Sequence, residues 1–101
     1  MNWKKVQSNV WRPEAVDESI EGILIKKEPS TEYDNNEYEI DVVESNGVIR
    51  RKVYGTTVLD DRMKDVKVGQ AVKIIYKGEK KVKKGMSKMF EVYVNADNQL
   101  N

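Results

Sequence analysis

The stretch EYEIDVVESNGVIRRKVYGTTVLDDRMKDVKVG, residues 37–69, changes its hydrophobic period part-way through, and that change decides the fold. Tyr38, Ile40 and Val42 alternate, whereas Leu59, Met63 and Val66 recur at i, i+4 and i+7. The first spacing puts side chains on one face of a strand, and the second lays them along one face of a helix. Between the two halves of the β-rich run sits Asn46-Gly47, the strongest short signal for a two-residue type I′ hairpin turn. A turn on that pair predicts that Ser45 faces Val48, Val43 faces Arg50, Asp41 faces Lys52 and Glu39 faces Tyr54. Tyr38, Ile40 and Val42 then share a core face with Arg51 and Val53, and Glu39, Asp41, Arg50, Lys52 and Tyr54 point outward. The helix is expected over residues 57–66, with Thr57 as N-cap, Asp60 in the first turn and Gly69 closing the element.

Working outward, SIEGILIKKE (19–28) reads as a long strand in which Gly22 marks a bulge or bend. PSTEYDNN (29–36) is dense in turn residues and reads as a loop. On the other side, AVKIIYK (71–77) and MFEVYVN (89–95) read as strands, the latter with Phe90, Val92 and Val94 on one side. Residues 78–88 between them read as a lysine-rich loop with Gly78 and Gly85 giving flexibility. Residues 1–15 are expected to form an arm that packs through Trp3 and Trp11, with Pro13 blocking regular pairing, and residues 96–101 are expected to be a disordered tail. No internal repeat is present.

Three strands, a short helix and two further strands invite closure into a barrel, which removes exposed edges. An SH3-like barrel places a short helical turn between its fourth and fifth strands. An OB-fold places its helix after the third, and a long first strand bent at a glycine suits it as well. The expected architecture is therefore all-β: a five-stranded antiparallel OB-fold barrel over residues 16–95, with the helix between strands three and four.

At 101 residues the chain holds one domain with a modest core. It has no cysteine and no histidine, so thiolate chemistry, disulfides and the commonest general base and metal ligand are excluded. We expect no enzyme, no catalytic residue and no cofactor. Glu14, Asp17, Glu18 and Glu21 cluster, but their spacing does not match a calcium loop, so a solvated acidic surface and no metal are expected. No apolar run approaches the roughly 18 residues of a membrane span, and residues 1–11 lack the apolar core of a secretory signal, so an intracellular protein is expected. The net charge of +1 hides an asymmetry: residues 1–45 carry 11 acidic and 5 basic side chains, and residues 46–101 carry 6 and 13. Such polarity hints at a polyanion-binding surface.

The segments WRPEAVDESIEGILI (11–25), YGTTVLDDRMKDVKVGQAVKIIYKGEKK (54–81) and KMFEVYV (88–94) resemble small OB-fold proteins of bacteriophages, plasmids and archaea, single-stranded DNA-binding proteins above all. Most of the shared pattern is core and turn, so it speaks for fold more than for function. The resemblance implies nucleic-acid binding without catalysis. The closing ADNQLN carries one aspartate, unlike the acidic tails through which bacterial-type single-strand binders recruit partners.

A binder of single strands needs cations for phosphates and aromatic faces for bases. The OB-fold groove crosses strands two and three and is flanked by the loops expected here at residues 29–36 and 78–88. The candidates on the strand surface are Arg50, Lys52 and Tyr54. Lys77, Lys80, Lys81, Lys83, Lys84 and Lys88 supply charge in and beside the second loop, and Tyr33 and Tyr93 are further stacking candidates. The alternatives are bland: a solvated charged loop, an exposed Asp41–Lys52 pair worth about 0.2–1 kcal/mol, and tyrosines that cover a rim. Trp3 and Trp11 are expected to cap the barrel, Tyr76 and Phe90 to lie in the core, and Met86 and Met89 to fill gaps. The leading expectation is a single-stranded DNA-binding protein of low sequence preference. The alternatives are an OB-fold adaptor for another protein and an RNA-binding module, and a homo-oligomer fits any of them.

Overall fold

The computed structural model describes residues 9–95, built as β1 (Ser19–Pro29), β2 (Asn36–Glu44), β3 (Gly47–Tyr54), α1 (Thr57–Met63), β4 (Ala71–Val82) and β5 (Gly85–Val94). The strands form one antiparallel sheet in the order β3-β2-β1-β4-β5. β1 is central because it divides its length between two partners. Residues 19–23 pair with 71–75 of β4, and residues 23–29 pair with 36–41 of β2. The change of partner falls beside Gly22, where a Cβ would collide with the Asp41 carbonyl and the Ile40 side chain. The glycine thus serves a close approach of two backbones, and the bulge expected there lies instead between Leu24 and Lys26.

The β2–β3 turn differs from expectation by one residue. Glu44 faces Gly47, so Ser45 and Asn46 make the turn. A type I′ turn needs positive φ at both central residues. Here neither Ser45 nor Asn46 takes it, and Gly47 carries φ 127° just after the turn. Every cross-strand partner consequently moves by two positions: Val43 faces Val48, Asp41 faces Arg50, Glu39 faces Lys52 and Glu37 faces Tyr54. A shift of two leaves the faces unchanged. Tyr38, Ile40 and Val53 are accordingly buried together.

The helix is shorter than its apolar pattern, and its N-cap is Thr56 rather than Thr57, with Thr56 Oγ1 accepting from the Leu59 N–H at 3.1 Å. It ends at Met63, where Lys27 of β1 reaches across. The Lys27 ammonium donates to the carbonyls of Met63, Lys64 and Val66 at 2.8, 2.9 and 3.0 Å, satisfying groups that a helix end leaves open. Leu59, Met63 and Val66 are buried as the periodicity demands.

The lysine-rich segment is not a loop. β4 runs to Val82, β5 starts at Gly85, and only Lys83 and Lys84 lie between them. Gly85 has φ 128°, so Lys83-Lys84-Gly85 repeats the device of Ser45-Asn46-Gly47. β4 carries one extra residue between Tyr76 and Glu79, where Gly78 has φ 90°.

The sheet is not closed: among the described residues no ladder joins β3 to β5. Part of the β3 edge is taken by the arm, which runs parallel to it. The Trp11 N–H donates to the Lys52 carbonyl at 2.8 Å, and the Lys52 N–H donates to the Asn9 carbonyl at 2.9 Å. Trp11 is buried, 6.3 Å from Phe90 between ring centres, so the arm spans from the β3 edge to β5. Trp3 and the tail at 96–101 lie outside the described residues. No helix among the described residues is long and apolar enough to cross a membrane.

Candidate nucleic-acid interface

Where β3 and β5 fail to meet, a cleft of about 350 Å³ opens, lined by Arg12, Tyr33, Asn35, Tyr54, Lys88 and Phe90 among others. Its wall is an aromatic pair. Tyr33 and Tyr54 meet edge to face with ring centres 4.8 Å apart, and Tyr33 remains 53% exposed. Local chemistry holds both rings. Ser30 Oγ accepts from the N–H groups of Glu32 and Tyr33, each at 3.1 Å, which folds the β1–β2 loop back on itself. Asp60 of α1 then ties that loop down, accepting from Asn35 Nδ2 at 3.0 Å, the Asn36 N–H at 3.1 Å and the Tyr38 hydroxyl at 2.7 Å. Gly55 lets this happen, since a Cβ there would collide with the Asp60 carboxylate. Burial, followed by the Asp60 bond, pushes the Tyr38 hydroxyl well above the ordinary tyrosine range.

Cations lie over Tyr54 and over Tyr76. The Lys52 ammonium lies 5.6 Å and the Arg12 guanidinium 5.9 Å from the Tyr54 ring centre, and Lys88 lies 6.0 Å from that of Tyr76. The Tyr54 hydroxyl donates to Glu32 Oε2 at 3.3 Å, and partial burial, then the Glu32 charge, raises its pKa.

The outward face of β2 and β3 is differently occupied. Arg50 pairs with Asp41 at 3.0 Å, Lys52 with Glu37 at 3.1 Å, and Lys26 with Glu39 at 3.3 Å and Glu28 at 3.7 Å. The expected Asp41–Lys52 pair is thus replaced by two others, a direct result of the two-position change in register. Glu37 is held below the usual carboxylate range chiefly by its bond from Lys52, and Lys52 and Arg50 are raised by the bonds to their acids. Three cations stand against four acids on this face, so it is no phosphate track by itself.

Lys77 is similarly committed, 2.7 Å from Asp17. Lys80, Lys81, Lys83, Lys84 and Lys88 form no ion pair among the described residues, and all five are exposed. Their directions follow from the register. Lys81 faces Met86, and Glu79 faces Lys88, on the side of β5 that carries Phe90. Lys80 faces Ser87 on the opposite side, and Lys83 and Lys84 occupy the turn. Met86, expected to fill a gap, is 61% exposed instead. Tyr93 is also exposed on the opposite side, donating to Glu91 Oε1 at 3.1 Å, and it lines a separate cleft with Glu21 and Lys73.

Tyr33, Tyr54, Lys52 and Lys88 therefore come together, whereas Tyr93, Lys77 and Lys80 point elsewhere. Sequence reasoning missed Arg12 and Asn35. The adjacent Trp11 was the available signal for Arg12, since an anchored indole fixes its neighbour. Arg51 faces inward as expected and buries its Nε without a hydrogen-bond partner among the described residues, lining a further cleft with Glu21 and Glu44. In the acidic N-terminal segment, Glu18 Oε1 accepts from the N–H groups of Glu14 and Ala15 at 3.2 and 3.0 Å. No protein-family model matches the chain, nor does any curated protein or solved structure.

Proposed function

We propose that the protein binds single-stranded nucleic acid, DNA in the first place, with low sequence specificity and without catalysis. The half-exposed Tyr33–Tyr54 pair in a cleft also lined by Lys88, which forms no ion pair among the described residues, carries this reading. Stacking on an aromatic face accepts any base, and lysines along the path neutralise phosphates. The strand order favours an OB-type reading of the open sheet, since β1 pairs with both β2 and β4 and the helix follows β3. A bound strand would run from the Tyr54 cleft past Lys88 and Lys81 towards the turn, and protection or organisation of single strands in replication or recombination would follow.

A second reading, a protein adaptor, draws on the ion-pair ladder of the β2–β3 face, where acids match every cation. Fluorescence titration with poly-dT, an equivalent RNA and a blunt duplex separates the readings. A nucleic-acid binder saturates with poly-dT at low salt and more weakly with duplex, while an adaptor is indifferent to all three. The dT-to-RNA ratio reports whether the 2′-hydroxyl is tolerated.

A further inference from the structure

The distal β4–β5 hairpin has a geometry that a single strand does not use up. β4 pairs with β1 only over residues 71–75, so residues 79–88 have no sheet neighbour among the described residues except their own other strand. Nine of those ten residues are exposed, Ser87 being half-buried. The ribbon therefore stands clear of the domain with both faces in solvent. Its charge is not one-sided. Lys80 lies on one face, Lys81 and Lys88 outnumber Glu79 on the other, and Lys83 and Lys84 sit at the tip. A strand threaded through the Tyr54 cleft passes along the face of Lys88 and Lys81, and it leaves Lys80 on the far side.

A ribbon that is positive on both faces matches a ligand with phosphates on both sides. Two paired strands are about 4.8 Å apart, and a β-ribbon of this kind enters the major groove of a duplex, about 12 Å wide, between two phosphate rows. The cleft begins at Lys88, four residues from the turn, or about 13 Å at the rise of a strand. Exposed Val82 and Met86 give the tip apolar surface to set against an opened base step.

Resting on the nucleic-acid reading above, we infer that the preferred ligand is a junction between single and double strand. The single-stranded arm lies in the Tyr33–Tyr54 cleft, and the hairpin tip grips the duplex end, with Lys80 on one backbone and Lys81 on the other.

The test compares a duplex bearing a dT overhang with the free overhang strand and the blunt duplex, over a range of salt. The junction should bind tighter than either component, and log K against log salt should be steeper than for the free strand by about 0.9 for each duplex phosphate engaged. Lys80→Gln should remove about 0.9 of that slope on the junction and leave the poly-dT slope unchanged. Lys81→Gln should lower both. Equal affinity for junction and free strand overturns the inference while leaving single-strand binding intact. The same holds if Lys80→Gln flattens the poly-dT slope as much as the junction slope, since Lys80 is then a single-strand contact. No binding to any of the three ligands overturns the function proposal itself, and this inference with it.

Discussion

The β2–β3 hairpin and the distal β4–β5 hairpin turn in the same way and differ in almost everything else. Both use two residues followed by a glycine of positive φ, Gly47 in one and Gly85 in the other. On the outward face of β2–β3 and the adjoining β1 the cations are matched by acids of a neighbouring strand: Lys26 by Glu39, Arg50 by Asp41, and Lys52, on the diagonal, by Glu37. On the distal β4–β5 hairpin, Lys80, Lys81, Lys83 and Lys84 form no ion pair among the described residues, and Glu79 is the one acid on the ribbon. Charges answered within the chain serve register and fold, and charges left open are available to a ligand. Removing a charge from the first region should therefore alter stability, and removing one from the second should alter binding.

The largest effect should come from the contact that lets the two regions share a cleft. Trp11→Ala deletes the buried indole that bridges the β3 edge and Phe90, and should cost about 3 kcal/mol of stability in denaturant unfolding. A cost below about 1 kcal/mol would mean that the arm is incidental to the fold. Next, Asp60→Ala leaves the buried Tyr38 hydroxyl without its acceptor and frees the loop carrying Tyr33. A loss of about 1–3 kcal/mol is expected, with weaker poly-dT binding as a consequence. Tyr54→Ala should weaken poly-dT binding by about 1–3 kcal/mol with little effect on duplex binding. If melting falls and affinity does not, Tyr54 belongs to the structural side of the comparison.

A smaller effect sharpens the comparison through pH. The bond from Lys52, with its charge, holds the Glu37 carboxyl below the usual glutamate range. A lowered acid contributes stability that is present above its unfolded pKa, about 4.3, and is lost as pH falls through the folded value. Glu37→Gln should therefore flatten the acid limb of melting temperature against pH below about 4.3, whereas Lys81→Gln should leave that limb as in the parent protein. Equal acid limbs in Glu37→Gln and parent would mean that the ladder does nothing for the fold.

Much of this was legible in the residues. The change of period between Val53 and Leu59 located the helix between β3 and β4, and alternation assigned both faces of the first hairpin. The pairing partners were not legible, because Asn46-Gly47 fits two turns that differ in which residue carries positive φ. The face assignment survived because the two registers differ by an even number. The distal strands were hidden by composition: lysine is poor in strand propensity, and no apolar alternation marks a ribbon with both faces in water. The arm on the β3 edge left no signal beyond its tryptophans, since a parallel bridge at Lys52 depends on backbone groups alone. Of the candidate site, Tyr54, Tyr33 and Lys88 were foreseen but not their meeting, which needs the seam between β3 and β5 to stay open.

The comparison is tested most directly by the salt dependence of poly-dT binding in the triple variant Lys81→Gln/Lys83→Gln/Lys84→Gln, set beside Arg50→Gln. For single strands, log K falls by about 0.7 per unit log salt for each phosphate neutralised. The triple variant should flatten the slope by about 2.1 with its melting temperature nearly unmoved, and Arg50→Gln should leave the slope as it is. An unchanged slope in the triple variant would contradict the account, reduce the hairpin to a solvated ribbon and put the adaptor reading first.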